Sequence, residues 1–288
     1  MNGVPTDSPL VSVITPYRDA KHHLADLVHC LQAQTYSNWE CLLVDHHSCD
    51  DGPSFVKNLV AGDMHFRCLS VACEDESVGH IGPAIPRNLG LMFARGSLVC
   101  FLDVDDLWHR CKLEYQVKFH MSRALEVSVT AYHRWCSDKP YELYRRCPPS
   151  ALSPLGMHLG NPIPMLTVML SRDLVEESRR VDGSLFECVP HEDYLLWLQL
   201  YARYPLLRFG CLPKYLAVHR RWGNNLTSNR YRMLEWTLLV YKNAGYSRFN
   251  RWVSILIWCC AQLRLLVLDG LKITRCFNSP ESIISAHR

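Results

Sequence analysis

The stretch SLVCFLDVDDLW, residues 97–108, joins a short apolar run to three closely spaced carboxylates. A continuous apolar run of this length is typical of a buried strand. Asp103, Asp105 and Asp106 follow at its carboxyl end, where each ionised carboxylate raises the cost of ionising the others. Two interpretations stay open on this evidence alone. Either a hard cation binds between the carboxylates, or Asp105 or Asp106 caps a helix that follows while the others are solvated.

The chain upstream of this stretch alternates between apolar runs and amphipathic segments on a short pitch. Leu24, Leu27, Val28 and Leu31 recur at helical spacing and predict a helix between the first two apolar runs. Such an alternation predicts right-handed crossovers and a mainly parallel sheet. The predicted strands cover 10–16, 39–48, 64–72 and 97–103, and the predicted helices include 54–60 and a segment 87–96 that ends at Gly96.

In a mainly parallel sheet, the carboxyl ends of the strands face the ligand crevice. This rule brings 15–19, 45–48 and 103–106 to one edge of the sheet. A second acidic element, Glu192 with Asp193, stands at the start of the amphipathic helix predicted from PHEDYLLWL, residues 190–198. Such a carboxylate caps the helix, or it takes the proton of an attacking hydroxyl if it faces the same crevice.

The pattern changes after residue 125. Residues 126–135 and 140–146 predict antiparallel or mixed strands, whereas only helical patterns remain from about residue 223 onward. We therefore place a boundary there. The apolar segment 252–270 is interrupted by Gln262 and Arg264 and is marginal for a bilayer span. An interfacial or partner-facing helix stays open, and the alternative is that the C-terminal helices cover the catalytic domain or form a dimer contact.

The composition limits the classes of partner and the compartment. The formal net charge is +3, with no long basic stripe of the kind that follows a nucleic-acid backbone, which argues against nucleic acid as a partner. The 14 cysteines show no CxxC pair, so we expect reduced, mostly buried thiols in a cytosolic protein. The first nine residues lack the charged and apolar regions of a secretory signal.

Taken in order, four segments resemble the family 2 glycosyltransferases. They are VSVITPYRDA (11–20), LQAQTYSNWECLLVDHHSCDDG (31–52), PRNLGLMFARGSLVCFLDVDDLW (86–108) and HEDYLLWLQL (191–200). The resemblance covers about 9–222 and implies the α/β fold of the glycosyltransferase A type. In that fold a Rossmann-like, mainly parallel central sheet is flanked by helices. Residues 223–288 would then form a helical C-terminal appendage.

The resemblance also implies an activity. Members of the family transfer a sugar from a nucleotide diphosphate sugar to an acceptor hydroxyl with inversion, and Mn²⁺ or Mg²⁺ bridges the diphosphate. The implied partners are the nucleotide-sugar donor and a glycan or lipid-linked acceptor, in polysaccharide or other glycoconjugate synthesis. The implied location is the cytoplasm or the inner face of the membrane. Peripheral membrane association and a homodimer are left open.

Residue by residue, Asp103 and Asp105 match the family's metal-binding Asp-x-Asp. Asp105 is the expected main metal ligand, and Asp103 or the backbone of Val104 is expected near the ribose. Asp193 matches the family's general base, with Glu192 and Asp106 as further candidates. The positions that match the nucleotide-binding segments are Thr15, Pro16, Tyr17, Asp19, Asp45, His46, Arg87 and Asn88.

Two positions depart from the family's pattern. His46 stands where the family usually has a second aspartate, so a preference for uracil is in doubt. Trp222 stands where a histidine often lies near the diphosphate. His219, Arg220 or Arg221 could supply the cation or donor instead. The alternative is that these three residues belong to an ordinary surface turn.

Three other classes of protein share parts of this pattern. A haloacid-dehalogenase-like phosphatase would use Asp103 as nucleophile, but its motif belongs to the first strand, and Leu107 occupies a position where that class has Thr or Val. A sugar-nucleotide pyrophosphorylase would need a glycine-rich loop after the first strand, which TPYRDA lacks. The third class is a catalytically silent carbohydrate- or nucleotide-binding protein of the same fold. The departures from the family's pattern at His46 and Trp222 favour it, and the retained metal-binding pair and Asp193 argue against it.

Overall fold

The computed structural model describes residues 8–72, 82–138, 142–153, 156–157, 160–222, 230–247, 250–256 and 273–275. Within this part of the chain, ten strands join one mixed sheet. No helix there has the length and the apolar character needed to cross a membrane.

The first hundred residues form the parallel half of the sheet. The strands pair in the order β3-β2-β1-β4, every pair is parallel, and helices connect them, which confirms the predicted alternation. The elements are β1 (Val11–Tyr17), α1 (Lys21–Gln32), β2 (Trp39–Asp45), α2 (Gly52–Leu59), β3 (Phe66–Ser70), α3 (Ala84–Phe93) and β4 (Leu98–Phe101).

The second half of the sheet is mixed, as the change of pattern after residue 125 predicts. Its elements are β5 (Leu107–Trp108), α4 (Lys112–Ser122), β6 (Val127–Cys136), β7 (Glu142–Arg146), β8 (Met169–Ser171), α5 (Arg172–Ser178), α6 (Glu192–Arg203) and β9 (Phe209–Arg221). Strand β8 pairs antiparallel with both β4 and β6, and β7 pairs antiparallel with β6. The long strand β9 runs parallel to β6 and pairs antiparallel with β5.

The C-terminal segment contributes to the sheet as well as to the helical layer. Helix α7 (Arg230–Asn243) and the helical residues 250–256 are followed by strand β10 (Ile273–Arg275), which pairs antiparallel with β7. The expectation of helical structure alone is therefore wrong for β10. Residues 257–272, most of the apolar segment 252–270, lie outside the described residues. The domain boundary at 222/223 stays a prediction.

Both faces of the sheet are covered by apolar side chains. One cluster joins the sheet to α1, α2 and α4 and includes Leu27 and Leu43. The other joins it to α3, α5, α6 and α7 and includes Ile14 and Tyr241. Neighbouring strand residues such as Val13 and Ile14 belong to opposite clusters because side chains alternate across a strand. This two-sided burial fixes the ends of the parallel strands, where the candidate site lies.

Gly96 does not end helix α3, contrary to the expectation. The helix gives way to extended backbone already at Ala94, with φ −67° and ψ 137°. A Cβ atom at Gly96 would lie 2.5 Å from the carbonyl oxygen of Leu10 and 2.6 Å from the amide nitrogen of Ser12. Glycine is needed here because the chain passes against the backbone leading into β1.

The expectation of mostly buried thiols is also wrong. The ten cysteines of the described residues are all free, but only Cys30, Cys41 and Cys100 are buried.

Candidate active site

The acidic tip, residues 103–106, is a tight turn between two strands of the sheet. The backbone amide of Asp106 donates to the carbonyl of Asp103 at 3.0 Å, and β5 then pairs with β9. Helix α4 begins only after Cys111, its capping residue. Neither Asp105 nor Asp106 caps that helix, so the capping interpretation of the acidic run is wrong.

Arg220 on β9 holds the tip in place. Its backbone amide donates to the buried Asp106 carboxylate at 2.9 Å, and its Nε donates to the backbone carbonyl of Asp105. Its Nη1 donates to Oδ2 of Asp26 on α1 at 3.1 Å. Because the guanidinium is only 2% exposed and already bonded to the tip and to α1, it supports the acidic turn. Its predicted contact with phosphates stays a prediction.

Arg87 on α3 connects the acidic tip to the first turn of α6. Its Nη2 donates to Oδ1 of Asp103 at 2.7 Å, and its Nη1 donates to Oε1 of Glu192. The residue is 2% exposed. Burial opposes its charge, but Asp103 and Glu192 together raise the pKa of Arg87 above its ordinary value. One buried cation therefore brings together two acidic elements that lie 89 residues apart in the chain, counted from Asp103 to Glu192.

The carboxylates of the site carry more negative charge than Arg87 compensates. Burial, followed by the charge of Asp103, raises the pKa of Asp105 to about 6. Burial and the charge of Asp105 raise the pKa of Asp106 well above its ordinary value. Burial also raises the pKa of Glu192 to about 7, although the Arg87 guanidinium offsets part of the rise. A further cation beside Asp103 and Asp105 would relieve this repulsion.

The donor set suits a hard divalent ion that shares its site with a substrate. Asp103 and Asp105 offer carboxylate oxygens, and the Asp103 side chain is 37% exposed. The described residues contain no group of three or more His, Cys, Asp or Glu side chains that could hold a metal ion by themselves. Mg²⁺ and Mn²⁺ are often held by one or two carboxylates together with substrate phosphates, so two aspartates fit such an ion.

Asp193 lies beside Glu192 in the first turn of α6 but has different partners. Its Oδ2 accepts from Nδ2 of Asn161 at 2.7 Å, and its Oδ1 accepts from the backbone amide of Tyr194 at 2.8 Å. The helix begins after His191, whose left-handed backbone has φ 55°. The adjacent carboxylates thus divide their contacts: Glu192 joins the Arg87 bridge, whereas Asp193 faces the loop that carries Asn161.

The loops after β1 and β2 are bonded to one another at the same edge of the sheet. The backbone amide of Asp19 donates to Oγ of Ser48 at 3.0 Å, and Oδ1 of Asp19 accepts from the amide of Cys49 at 2.6 Å. The latter bond lowers the pKa of Asp19. The carbonyl of Tyr17 accepts from the amide of His46 at 2.9 Å. The structure therefore brings the two predicted nucleotide loops together.

Four of the predicted nucleotide-binding positions are strongly engaged with the scaffold. Thr15 and Pro16 lie inside β1, and Thr15 is completely buried. Asp45 accepts from the amide of Ser48 at 3.2 Å. The Asn88 carboxamide bonds the backbone of residues 185–186 through both its oxygen and its nitrogen. A nucleotide-binding role for these positions stays a prediction.

The end of β9 is regular strand, so the surface-turn interpretation of His219, Arg220 and Arg221 is wrong. Burial lowers the pKa of His219 to about 4. The Trp222 ring lies 5.1 Å from the rings of both His23 and Trp135 and packs against the apolar cluster on that face of the sheet.

Sequence reasoning missed Asn161 and Asp26 as parts of the site. Asn161 lies in the turn GNPIP, residues 160–164, whose composition indicates only a loop. Asp26 belongs to the polar side of α1, where an acidic residue is ordinary. Neither position carries a sequence signal that links it to the acidic elements, because the contacts arise only from the packing of distant segments.

Comparison with known proteins gives one family. The family described as Glycosyl transferase family 2 matches residues 12–166. A Bacillus subtilis (strain 168) protein, assigned to teichuronic acid biosynthesis as the glycosyltransferase TuaG, is 30% identical over 255 residues, covering 88% of this chain and 94% of the relative. The Escherichia coli enzyme UDP-Glc:alpha-D-GlcNAc-diphosphoundecaprenol beta-1,3-glucosyltransferase WfgD is 27% identical, covering 81% of this chain and 86% of the relative.

Solved structures give the same fold. S. aureus TarS 1-349 in complex with UDP-GlcNAc superposes with a TM-score of 0.64 at 18% identity, covering 95% of this chain and 77% of that protein. The mannosyltransferase PcManGT from Pyrobaculum calidifontis, in complex with GDP-Man and Mn²⁺, superposes with a TM-score of 0.61 at 16% identity, covering 98% of this chain and 80% of that protein. The glycosyltransferase A-type fold expected from the sequence is thereby confirmed.

Proposed function

Because the chain belongs to glycosyl transferase family 2 and is a glycosyltransferase of glycan or polysaccharide synthesis, we propose that its reaction inverts the anomeric carbon and depends on a divalent metal. The donor would be a nucleotide diphosphate sugar and the acceptor a hydroxyl group. The observation that carries the proposal is the Arg87 bridge, which joins the acidic tip to the helix turn that bears Asp193.

Asp105, with Asp103, would hold Mn²⁺ or Mg²⁺ at the acidic tip. When bound, the metal supplies positive charge beside the diphosphate that leaves with the nucleotide. Arg87 keeps one oxygen of Asp103 occupied and leaves the rest of that carboxylate to the metal and donor. Arg220 fixes the backbone of Asp105, so that the ligand does not have to be ordered when the donor arrives.

Asp193 would act as the general base. The acceptor oxygen attacks the anomeric carbon on the face opposite the departing diphosphate, while its proton passes to the Asp193 carboxylate. The bond between the sugar and the diphosphate breaks in the same displacement, and the electron pair leaves with the nucleoside diphosphate. A single displacement of this kind inverts the configuration and needs no covalent glycosyl-enzyme.

The nucleotide would lie along the loops after β1 and β2, beside Tyr17, Asp19 and His46. Hydrogen bonds between these loops support a preformed site. The neighbouring structures hold UDP-GlcNAc in one protein and GDP-Man in the other, so the shared fold is found with both uridine and guanosine donors. Because His46 stands in place of an aspartate, the donor panel includes both uridine and guanosine nucleotide sugars.

The proposed acceptor is a glycan attached to a lipid. The relative WfgD is named for a diphosphoundecaprenol-linked acceptor, and its similarity spans most of both chains. Such an acceptor would place the reaction at the cytoplasmic face of a membrane. Peripheral membrane association through the C-terminal segment and a homodimer stay predictions.

Calorimetry with a panel of nucleotide sugars, with and without Mn²⁺, tests the proposal. We expect Asp105→Ala to abolish metal-dependent donor binding, because it removes the main ligand. We expect Asp193→Asn to bind the donor as the wild type does and to transfer no sugar. Wild-type protein that binds no member of the panel would contradict the proposed enzyme.

A second assay separates transfer from phosphatase activity. Rapid phosphate release from phosphomonoesters that is lost in Asp103→Asn would instead support the phosphatase. Metal-dependent hydrolysis of each donor, in which water stands in for the acceptor, then identifies the donor before the acceptor is known.

A further inference from the structure

We propose that Asn161 is a positioning residue for the Asp193 carboxylate, an inference that rests on the proposed role of Asp193 as the base. Asn161 belongs to a different segment of the chain from α6, and nothing in the family resemblance points to it. Its carboxamide nitrogen lies 2.7 Å from Oδ2 of Asp193.

The orientation of the Asn161 carboxamide follows from its second hydrogen bond. Its Oδ1 accepts from the backbone amide of Ile163 at 3.1 Å, and a backbone N–H can only donate. The oxygen end is therefore committed to the loop, and the NH₂ end must face Asp193. This bond settles the usual ambiguity between the two ends of an asparagine side chain.

The loop that carries Asn161 is anchored to the same helix as the base. Nε1 of Trp197 donates to the carbonyl of Ile163 at 3.0 Å, and the side chains of Ile163 and Trp197 are 0% and 1% exposed. Trp197 is four residues after Asp193 on α6, about one helical turn away. The Asn161 side chain itself is exposed, but the loop that carries it and the helix that carries Asp193 are joined through this buried contact.

The arrangement leaves the base able to act. One oxygen of Asp193 accepts from Tyr194 and the other from Asn161. An ionised carboxylate accepts about four hydrogen bonds, so each oxygen keeps a place for the acceptor hydroxyl. The uncharged carboxamide orients the carboxylate without adding a charge to the site. Asn161 therefore fixes the direction in which the base accepts a proton.

The test compares kcat and KM of donor hydrolysis for the wild type, Asn161→Ala and Asn161→Ser. In Asn161→Ala we expect kcat to fall about tenfold, because the base is no longer held in its productive direction. The KM for the donor and Mn²⁺-dependent donor binding should not change. Asn161→Ser keeps a hydrogen-bond donor and should recover part of the lost kcat. Asn58→Ala, at an exposed position on α2, should resemble the wild type.

Asp193→Asn distinguishes failure of this inference from failure of the proposed function. If Asp193→Asn is inactive while Asn161→Ala keeps the wild-type kcat, the positioning role of Asn161 is wrong and the base assignment stands. If Asp193→Asn retains donor hydrolysis, the base assignment is wrong and the inference fails with it. Loss of donor binding in both Asn161 variants would likewise overturn the inference, since a positioning residue should leave binding intact.

Discussion

At the scale of single residues, the site depends on a charge that water does not solvate. Arg87 is buried, and its guanidinium is compensated by Asp103 and Glu192. Taking an ion out of water costs several kcal/mol, which only close partners repay. The same argument applies in reverse, because Glu192 is buried beside Asp193 and its ionised form would have no compensating cation without Arg87. Arg87 is therefore both a support of the fold and part of the electrostatics of the cleft.

Replacing Arg87 by Met should destabilise the protein strongly and in a pH-dependent way. Removing one partner of a buried ion pair typically costs about 3–5 kcal/mol. The loss should be larger near pH 7.5 than near pH 5.5, because Glu192, whose pKa is already raised to about 7, is neutral at the lower pH. Urea unfolding of the wild type and Arg87→Met at the two pH values measures the difference.

The double variant Arg87→Met with Glu192→Gln is the control for this prediction. It removes the Glu192 carboxylate together with the Arg87 cation. Part of the free energy of unfolding lost in Arg87→Met should therefore return, and most of the pH dependence of that loss should disappear. Equal losses at both pH values in the single variant would show that packing around the Arg87 side chain, and not charge, accounts for the effect.

At the scale of elements, the parallel half of the sheet is held together by close backbone approach as well as by apolar burial. Helix α3 packs directly on β1, where a Cβ atom at Gly90 would lie 2.6 Å from Cγ2 of Ile14. The segment between α3 and β4 passes equally close to the start of β1 at Gly96. Arg87 extends from this closely packed helix to Asp103 and Glu192.

We expect Gly96→Ala to lower the free energy of unfolding by about 1–3 kcal/mol, the usual range for overpacking. The added methyl group would meet backbone atoms of Leu10 and Ser12, which cannot rotate away as a side chain can. Urea unfolding measures the loss. Ala94→Gly provides a comparison two residues earlier, where the backbone is extended. A Gly96→Ala variant as stable as the wild type would contradict the close packing.

Local sequence patterns predicted the elements that bury a regular apolar face, but not those defined by long-range pairing. The four parallel strands and their helices follow from periodicity. Strand β9 contains charged and aromatic residues without a clean alternation. It forms a strand because β6 pairs with it over most of its length, with register shifts near Ala131. Strand β10 is likewise defined by its partner β7. Pairing of this kind comes from tertiary context, which overrides local preference.

At the scale of the whole molecule, the site is assembled from segments that the chain brings together only after folding. The acidic tip and the pair Glu192 and Asp193 carried enough chemistry in sequence to be recognised. The link between them could not be predicted, because Arg87 and Asn161 have partners 105 and 32 residues away. Contacts over such separations leave no local pattern in the sequence. The family resemblance predicts roles for the acidic residues, and the structure shows which side chains hold them in place.

The assembled site should also make metal binding depend on pH. The pKa of Asp105 is raised from 3.8 to about 6, so between those values the folded metal-free protein binds a proton that the unfolded chain lacks. The bound proton therefore favours the folded state below the unfolded pKa of 3.8, and this stabilisation is lost as the pH rises from 3.8 to about 6. A divalent ion needs the deprotonated carboxylate and competes with the proton. Metal binding should accordingly weaken about tenfold between about pH 7.5 and about pH 5, where about nine-tenths of Asp105 would be protonated.

The measurement is the rise in melting temperature on adding excess Mn²⁺, recorded at both pH values for the wild type and Asp105→Asn. The wild type should gain more at pH 7.5 than at pH 5, and Asp105→Asn should gain little at either pH. Buried histidines such as His23 and His120, whose pKa values burial lowers to about 4, destabilise the fold as the pH falls, but they do so with and without metal and cancel in the difference. A gain that is the same at both pH values, or that persists in Asp105→Asn, would place the metal away from the acidic tip.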